Sequence, residues 1–335
     1  MASLETGSKR IVIAGASSLL GAELKSLLEE SRFAASEFRL LDEELAAGLL
    51  TEAGGEPTVI QPVEEGSFAR ARFIFFTGSP EFTRANIAAA RQSGATIIDL
   101  SGALTTDSSA ILWFGALEGL RREEFAGKGS AYVIPSAAAT AAAALSLGLT
   151  SIGLKSLMLV AFQPVSEAGR RGIEELESQT SQLLLMQSVG KPIFDTQVAF
   201  NMADRYGEAS TQKLAATRQR LRAETKLCLG GKAAMPALQV VHAPVFYGAS
   251  FAACATFDDG VKAEKISAAC KSAGFSITED SNAPTNVSAA GESVIQLAPP
   301  EEDSAQNGSW WLWGAADNVH FPAANAVKLA DKLAI

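Results

Sequence analysis

The sequence predicts an α/β protein in which a doubly wound parallel sheet is followed by a second, α+β domain with a mostly antiparallel sheet. Three observations carry this. In the first half, short apolar strands alternate with segments of helical periodicity, the pattern of parallel βαβ units. From about Leu154 the strands lengthen, the connections shorten, and two aromatic-rich runs appear. The chain also has 335 residues, 47% of them hydrophobic and 19% charged, enough for two cored domains and unlike a disordered chain.

"KRIVIAGASSLLGAELKSLLEE" (Lys9 to Glu30) reads as a buried strand, a glycine turn and an amphipathic helix, with Leu19, Leu20, Leu24, Leu27 and Leu28 at helical spacing. Glu37 to Leu41 is the next strand, and Ala71 to Pro80 is a third, ending in a loop. "EFTRANIAAARQSG" is a helix stopped by Gly94, and Ala95 to Gly102 is a fourth strand. "AYVIPSAAATAAAALSLGL" (Ala131 to Leu149) is a short strand ending at a proline, then a small-residue run leading into a helix. Leu154 to Ser166 reads as a long strand and Glu167 to Val189 as a long helix. Ala237 to Phe257 and Ser309 to Ala316 carry later strands, with a helix over Val261 to Gly274 between them. Their broad apolar face is of the kind that commonly forms a dimer surface. "PPEEDSAQNGS" (Pro299 to Ser309) reads as an exposed loop, and the last helix, Phe321 to Ile335, has proline in its first turn. The expected division is residues 1–135 plus 321–335 in the first domain and 136–320 in the second.

Net charge is −9 and no long basic run occurs, which argues against nucleic-acid or anionic-membrane partners. No window approaches ~18 uninterrupted apolar residues, so no membrane span is expected, and the polar start has no signal-type apolar core. Three widely spaced cysteines, Cys228, Cys254 and Cys270, predict reduced thiols and a cytoplasmic protein. With two histidines, no CxxC and no HxxxH, no metal site is expected.

In the glycine turn "GASSLLG", Gly15 stands at the strand end and Gly21 inside the helix, the places that allow a tight turn and close helix–strand packing in a dinucleotide site. The middle place is Ser18, whose hydroxyl could donate to a phosphate. A plain βα turn with no ligand is the alternative. Arg39 lies inside the second strand, and Asp42, Glu43 and Glu44 after it would repel a 2′-phosphate.

Several segments together resemble the aspartate-semialdehyde dehydrogenase family. "IVIAGASSLLGAEL" resembles its GATGxVG opening, and "IIDLSGA" the strand before its phosphate-binding arginine. "QPVSEAGRRGIEELESQT" (Gln163 to Thr180) is similar to QxVSGAGxxGxxELxxQT, while "VAFN" and "AETK" match the elements after it. "HAPVFYGASF" resembles RVPVxxGHS, and "DNVHFPAANAVKLADKLA" the closing DNLRKGAAxNAVQIAE. The "SGAL" and "APVFYG" strand ends are similar to those of Usg-type relatives. The resemblance implies a Rossmann-like domain binding NADP or NAD through Gly15, Ser17, Ser18, Leu19, Gly21, Thr77 and Gly78. It further implies a substrate pocket of Ser101, Gln163, Ser166, Glu167, Gly169 and Glu224, a homodimer, and a cytoplasmic place in amino-acid biosynthesis.

The family's reaction needs a thiolate nucleophile, a base and a cationic clamp for the substrate carboxylate. The PNCxT-like turn here reads "PSAAAT", so the cysteine place falls on Ser136, Ala137 or Ala138. The histidine of GHS is Ala249, and the arginine of RVP is His242. The phosphate-binding arginine has no counterpart in Leu104, Thr105 or Thr106, and Glu167 replaces a glycine. The expectation is a family member without its catalytic groups, with a structural, regulatory or ligand-binding role. The alternative is an active NAD(P)-dependent semialdehyde dehydrogenase with relocated groups.

Overall fold

The structure, a computed structural model, describes residues 10–44, 46, 48–53, 55–121, 130–258, 260–279 and 282–334. The described chain divides into two compact units: 10–113 with 130–134 and 322–334, and 114–121 with 135–321.

The first unit contains β1 (Arg10–Ala14), α1 (Leu19–Glu29), β2 (Glu37–Asp42), the hairpin β3 (Leu50–Ala53) and β4 (Glu56–Val59), and β5 (Gln61–Pro62). Then follow β6 (Ala71–Phe76), α2 (Pro80–Gln92), β7 (Thr96–Asp99), β8 (Ile111–Leu112) and β9 (Ala131–Val133). Seven strands form one sheet in the order β5-β2-β1-β6-β7-β9-β8, parallel at every pairing. β1 is buried from Ile11 to Ala14, as a central parallel strand covered on both faces must be. Ile11, Ile13, Leu24, Phe73, Phe75 and Tyr132 build the core, and Ala323, Ala326, Leu329 and Ala330 of α8 (His320–Leu333) complete it. Ser18 and Ser79 cap α1 and α2, each hydroxyl accepting an amide from the first turn.

The second unit contains α3 (Leu117–Arg121), α4 (Ala137–Thr150), β10 (Ser156–Gln163), a 3₁₀ turn over Val165–Ala168, α5 (Gly169–Leu184) and α6 (Leu214–Leu229). β11 (Ala237–His242), β12 (Ala249–Thr256), α7 (Ala263–Ser272), β13 (Phe275–Ile277), β14 (Ile295–Leu297), β15 (Glu301–Glu302) and β16 (Ser309–Ala316) follow. The sheet runs β11-β10-β12-β16-β14-β13, with β15 on β16. Its centre is antiparallel, while β10–β11 and β13–β14 are parallel pairs, so the sheet is mixed.

Three elements differ from the sequence-based expectation. The helix after β10 starts only at Gly169, whose φ of +71° suits glycine, and stops at Leu184, just before Met186 turns left-handed at φ +54°. The segment Pro299–Ser309 is ordered as a hairpin: β15 pairs with β16, and Asp303 accepts the amides of Ala305 and Gln306 and the indole N–H of Trp311. The hairpin β3–β4 is new, because its short, exposed strands lack an apolar pattern.

α4 explains why its sequence holds so little chemistry. Of its 14 residues, all but Ala138 and Thr150 are buried. A helix apolar all round belongs in an interior. Its small residues let neighbours approach, since a Cβ at Gly148 would come within 2.8 Å of the Ala273 methyl.

Candidate functional site

The first unit holds the glycine turn. Gly15 has φ +98°, and a Cβ there would lie 2.1 Å from the Gly78 amide nitrogen. A Cβ at Gly21 would lie 2.4 Å from the Gly15 carbonyl oxygen. The turn is therefore pressed against Thr77–Gly78, as a dinucleotide cradle requires. Ser17 donates its amide to Asp42 Oδ2 at 2.7 Å. The Ser18 hydroxyl donates to the Thr77 carbonyl (2.9 Å) and accepts the Gly21 amide (2.8 Å). Its proton is thus committed to the protein and not to a phosphate. The amides of Leu19 and Leu20, at the head of α1, are taken by neither the cap nor the helix ladder, and these are the donors that fit a pyrophosphate. The residues present fit the group.

Ser101 also lies in the first unit. Its hydroxyl donates to Asp99 Oδ1 at 2.6 Å, and Asp99 Oδ2 accepts the Leu104 amide. It serves the loop after β7.

The second unit holds the other positions. Ser136 is the N-cap of α4, with Ala137 at the first helical position. Glu224, on α6 and fully buried, accepts the Ser136 hydroxyl (2.7 Å) and amide (3.0 Å) at Oε2. Its Oε1 accepts Arg220 Nε at 2.6 Å. A carboxylate so deep is tolerated because three donors surround it. The same contacts occupy the Ser136 hydroxyl and pin the start of α4 to α6.

His242 is fully buried. Its Nε2 meets the Val198 carbonyl at 3.2 Å, which can only accept, so Nε2 carries the proton. Nδ1 then accepts the Tyr206 hydroxyl at 3.3 Å. Burial pushes the imidazole below its ordinary range and the Tyr206 phenol above its own. Phe194 and Tyr206 pack against the ring. His242 is a neutral core residue with both nitrogens used. Ala249, at the start of β12, is buried.

The segment that carries the longest motif match is built largely for structure. Gly172 lets α5 close on the 3₁₀ turn, since a Cβ would sit 2.3 Å from the Val165 carbonyl. Glu175 accepts the Ile193 and Phe194 amides, and Gln179 holds Val198 and Ala199 through Oε1 and Gly190 and Thr196 through Nε2. Both side chains staple the 190–199 segment, a role the sequence reading missed, although two buried polar residues one turn apart are its signature. Ser166 and Glu167 meet Asn318, which donates to them at 3.1 Å each while accepting the Gly248 amide. Gln163 Oε1 and Thr140 Oγ1 are buried without a hydrogen-bond partner.

The three thiols are free and buried. Burial raises Cys228 well above the ordinary thiol range, helped by the Glu224 charge, lifts Cys270 to about 12, and raises Cys254, with Asp303 adding to it. A thiol held protonated is a poor nucleophile. Among the described residues no cluster of three or more His, Cys, Asp or Glu could hold a metal ion, and no helix is long and apolar enough to cross a membrane.

Comparison with known proteins adds the following. A family model described as "Semialdehyde dehydrogenase, NAD binding domain" matches residues 10–143, and one described as "Semialdehyde dehydrogenase, dimerisation domain" matches residues 147–321. A USG-1 protein homolog of Azotobacter vinelandii is 30% identical over 332 residues, covering 96% of this chain and 97% of that protein. The structure of a probable aspartate-semialdehyde dehydrogenase from Pseudomonas aeruginosa superposes with a TM-score of 0.83 at 27% identity, over 97% of this chain and 98% of that one. Aspartate semialdehyde dehydrogenase II from Vibrio cholerae gives 0.84 at 23% identity, over 97% and 98%, a likeness of fold.

Proposed function

The chain belongs to the semialdehyde dehydrogenase family, and within it we propose a non-catalytic homodimer that binds a nicotinamide dinucleotide and a small ligand. The observation that carries this reading is at the head of α4. The residues there are Ser136, Ala137 and Ala138, and the one hydroxyl among them is bonded to a buried carboxylate that is itself paired with Arg220. The same carboxylate also takes the Ser136 amide and Arg220 Nε, so the contact ties the start of α4 to α6. With Ala249 and a neutral, fully bonded His242 at the base and clamp places, forming and resolving a covalent acyl adduct has no support from the side chains present.

What favours retained binding is separate. The glycine turn keeps its close approach and its two helix-head amides, and Gln163 presents a buried acceptor with no partner. What favours a homodimer is the open face of the second sheet, where Met158 is 54% and Trp311 45% exposed. The test is a spectrophotometric assay of the purified protein with aspartate semialdehyde, phosphate and either NADP or NAD. No reduction of the cofactor above the blank is expected. Turnover abolished by alkylating a thiol would overturn the reading and restore the dehydrogenase with relocated groups.

A further inference from the structure

The end of β2 is fixed to the glycine turn. The Gly15 and Ala16 amides both donate to the Leu41 carbonyl, at 2.8 and 3.1 Å. The next residue, Asp42, is buried, with Ser17 N–H on Oδ2 and Glu43 N–H on Oδ1. Each carboxylate oxygen takes one amide and keeps a further lone pair. An acidic group at the end of the second strand, here 27 residues beyond Gly15, is the kind that meets the adenosine ribose hydroxyls in a dinucleotide fold. Glu43 crosses to the loop after β6, its Oε1 accepting the Ser79 hydroxyl at 3.2 Å, and Glu44 beside it is exposed.

Among the described residues, basic side chains on the neighbouring elements are engaged elsewhere. From Asp42 to Ala69 the sequence carries seven carboxylates and not one lysine or arginine. Arg39 turns to the other end of that segment and donates to the Gly66 and Ser67 carbonyls. Lys25 pairs with Glu29 and donates to the Glu52 carbonyl, and Arg84 pairs with Glu81.

We propose that the first unit selects the non-phosphorylated dinucleotide, NAD or NADH, over its 2′-phosphorylated counterpart, with Asp42 taking the ribose hydroxyls and Glu43 and Glu44 excluding the phosphate. This rests on the reading that the turn binds a dinucleotide at all. A 2′-phosphate is a near-dianion, and a site whose nearest side chains in sequence are Asp42, Glu43 and Glu44 would repel it. The selectivity lies in the protein's charges and is independent of whether any hydride moves.

The test is isothermal titration of the purified full-length protein with NAD, NADH, NADP and NADPH. The non-phosphorylated forms should bind about tenfold tighter or more, the size expected for one unscreened like-charge contact. The Glu43→Arg/Glu44→Arg double variant should shrink that ratio about tenfold by gaining NADP affinity, and Glu44→Arg alone, at an exposed position, should shrink it less. Circular dichroism confirms that the variants fold. Equal or tighter binding of NADP by the wild type, or a ratio unmoved in folded variants, would overturn the selectivity while leaving a dinucleotide site in place. Binding of none of the four would overturn the dinucleotide reading and the selectivity with it.

Discussion

The Ser136–Glu224 contact is the place where a structural and a catalytic reading of this protein part most sharply. Ser136→Ala removes the 2.7 Å hydroxyl donation to a carboxylate with no solvent exposure. A hydrogen bond to a charged group contributes about 1.5–3 kcal/mol. The same hydroxyl caps α4, but at 3.4 Å from the Ala139 amide that cap is long, so it adds less than the usual ~1 kcal/mol. The Ser136 amide and Arg220 still hold Glu224 in the variant, which limits the total to about 2–3 kcal/mol. With a urea slope of about 2 kcal/mol/M, the midpoint should fall by roughly 1 M. Tryptophan fluorescence is the suitable probe, because Trp310, Trp311 and Trp313 lie in the second unit and Trp113 alone lies in the first. In a Glu224→Gln background the serine loses its charged acceptor, so the double-mutant cycle should show about 1–2 kcal/mol of coupling. A Ser136→Ala cost below about 0.5 kcal/mol, the level of ordinary surface changes, or no coupling to Glu224, would refute the claim that this hydroxyl is held by the carboxylate.

Three further outcomes follow from the geometry. His242 is neutral in the fold with a lowered pKa, whereas the unfolded chain takes up a proton below about pH 6.5. Its contribution is therefore complete above that pH and is lost as pH falls below it, by at most about 1.4 kcal/mol per unit. His242→Gln should flatten the change in urea midpoint between pH 7.5 and 5.5, and an unaltered slope would contradict the buried neutral ring. A disulfide-exchange reagent at pH 8 should label no thiol of the native protein within seconds and all three after unfolding. A rapidly reacting native thiol would revive the search for a nucleophile. Met158→Lys, on the open sheet face, should convert the proposed dimer to monomer in sedimentation velocity, and an unchanged dimer would move the interface elsewhere.

The parallel half of the fold was legible because its strands are short apolar runs and its helix starts are announced by serine caps. β1, the turn and α1 occur where "RIVIAGASSLLGAEL" places them. β3 and β4 escaped notice because they bury almost nothing. The site was half legible. The candidate positions Ser136 to Ala138, His242 and Ala249 can be read off the chain, but their environment cannot. Nothing local links Ser136 to Glu224 across 88 residues, and the orientation of His242 depends on Val198 and Tyr206, 44 and 36 positions away.

That environment bears on whether the altered positions are neglected remains or parts of a maintained structure. A site stripped of its nucleophile and base without compensation would leave its remaining polar groups buried and unpaired, each costing about 1–3 kcal/mol. Here the groups close on one another. Glu224 takes three donors, His242 uses both nitrogens, and Asn318 links Ser166, Glu167 and the Gly248 amide. Gln163 Oε1 and Thr140 Oγ1 stay open, as do Arg218 Nε and Trp310 Nε1 elsewhere in the second unit. A glutamine side chain offers both an acceptor and two N–H donors, so Gln163 sets the polarity of a ligand there and not its charge. Negative charge stands beside the candidate positions at Glu167, and in the first unit at Asp42, Glu43 and Glu44. On the proposed reading, this charge disfavours the phosphate and substrate carboxylate that a dehydrogenase reaction requires.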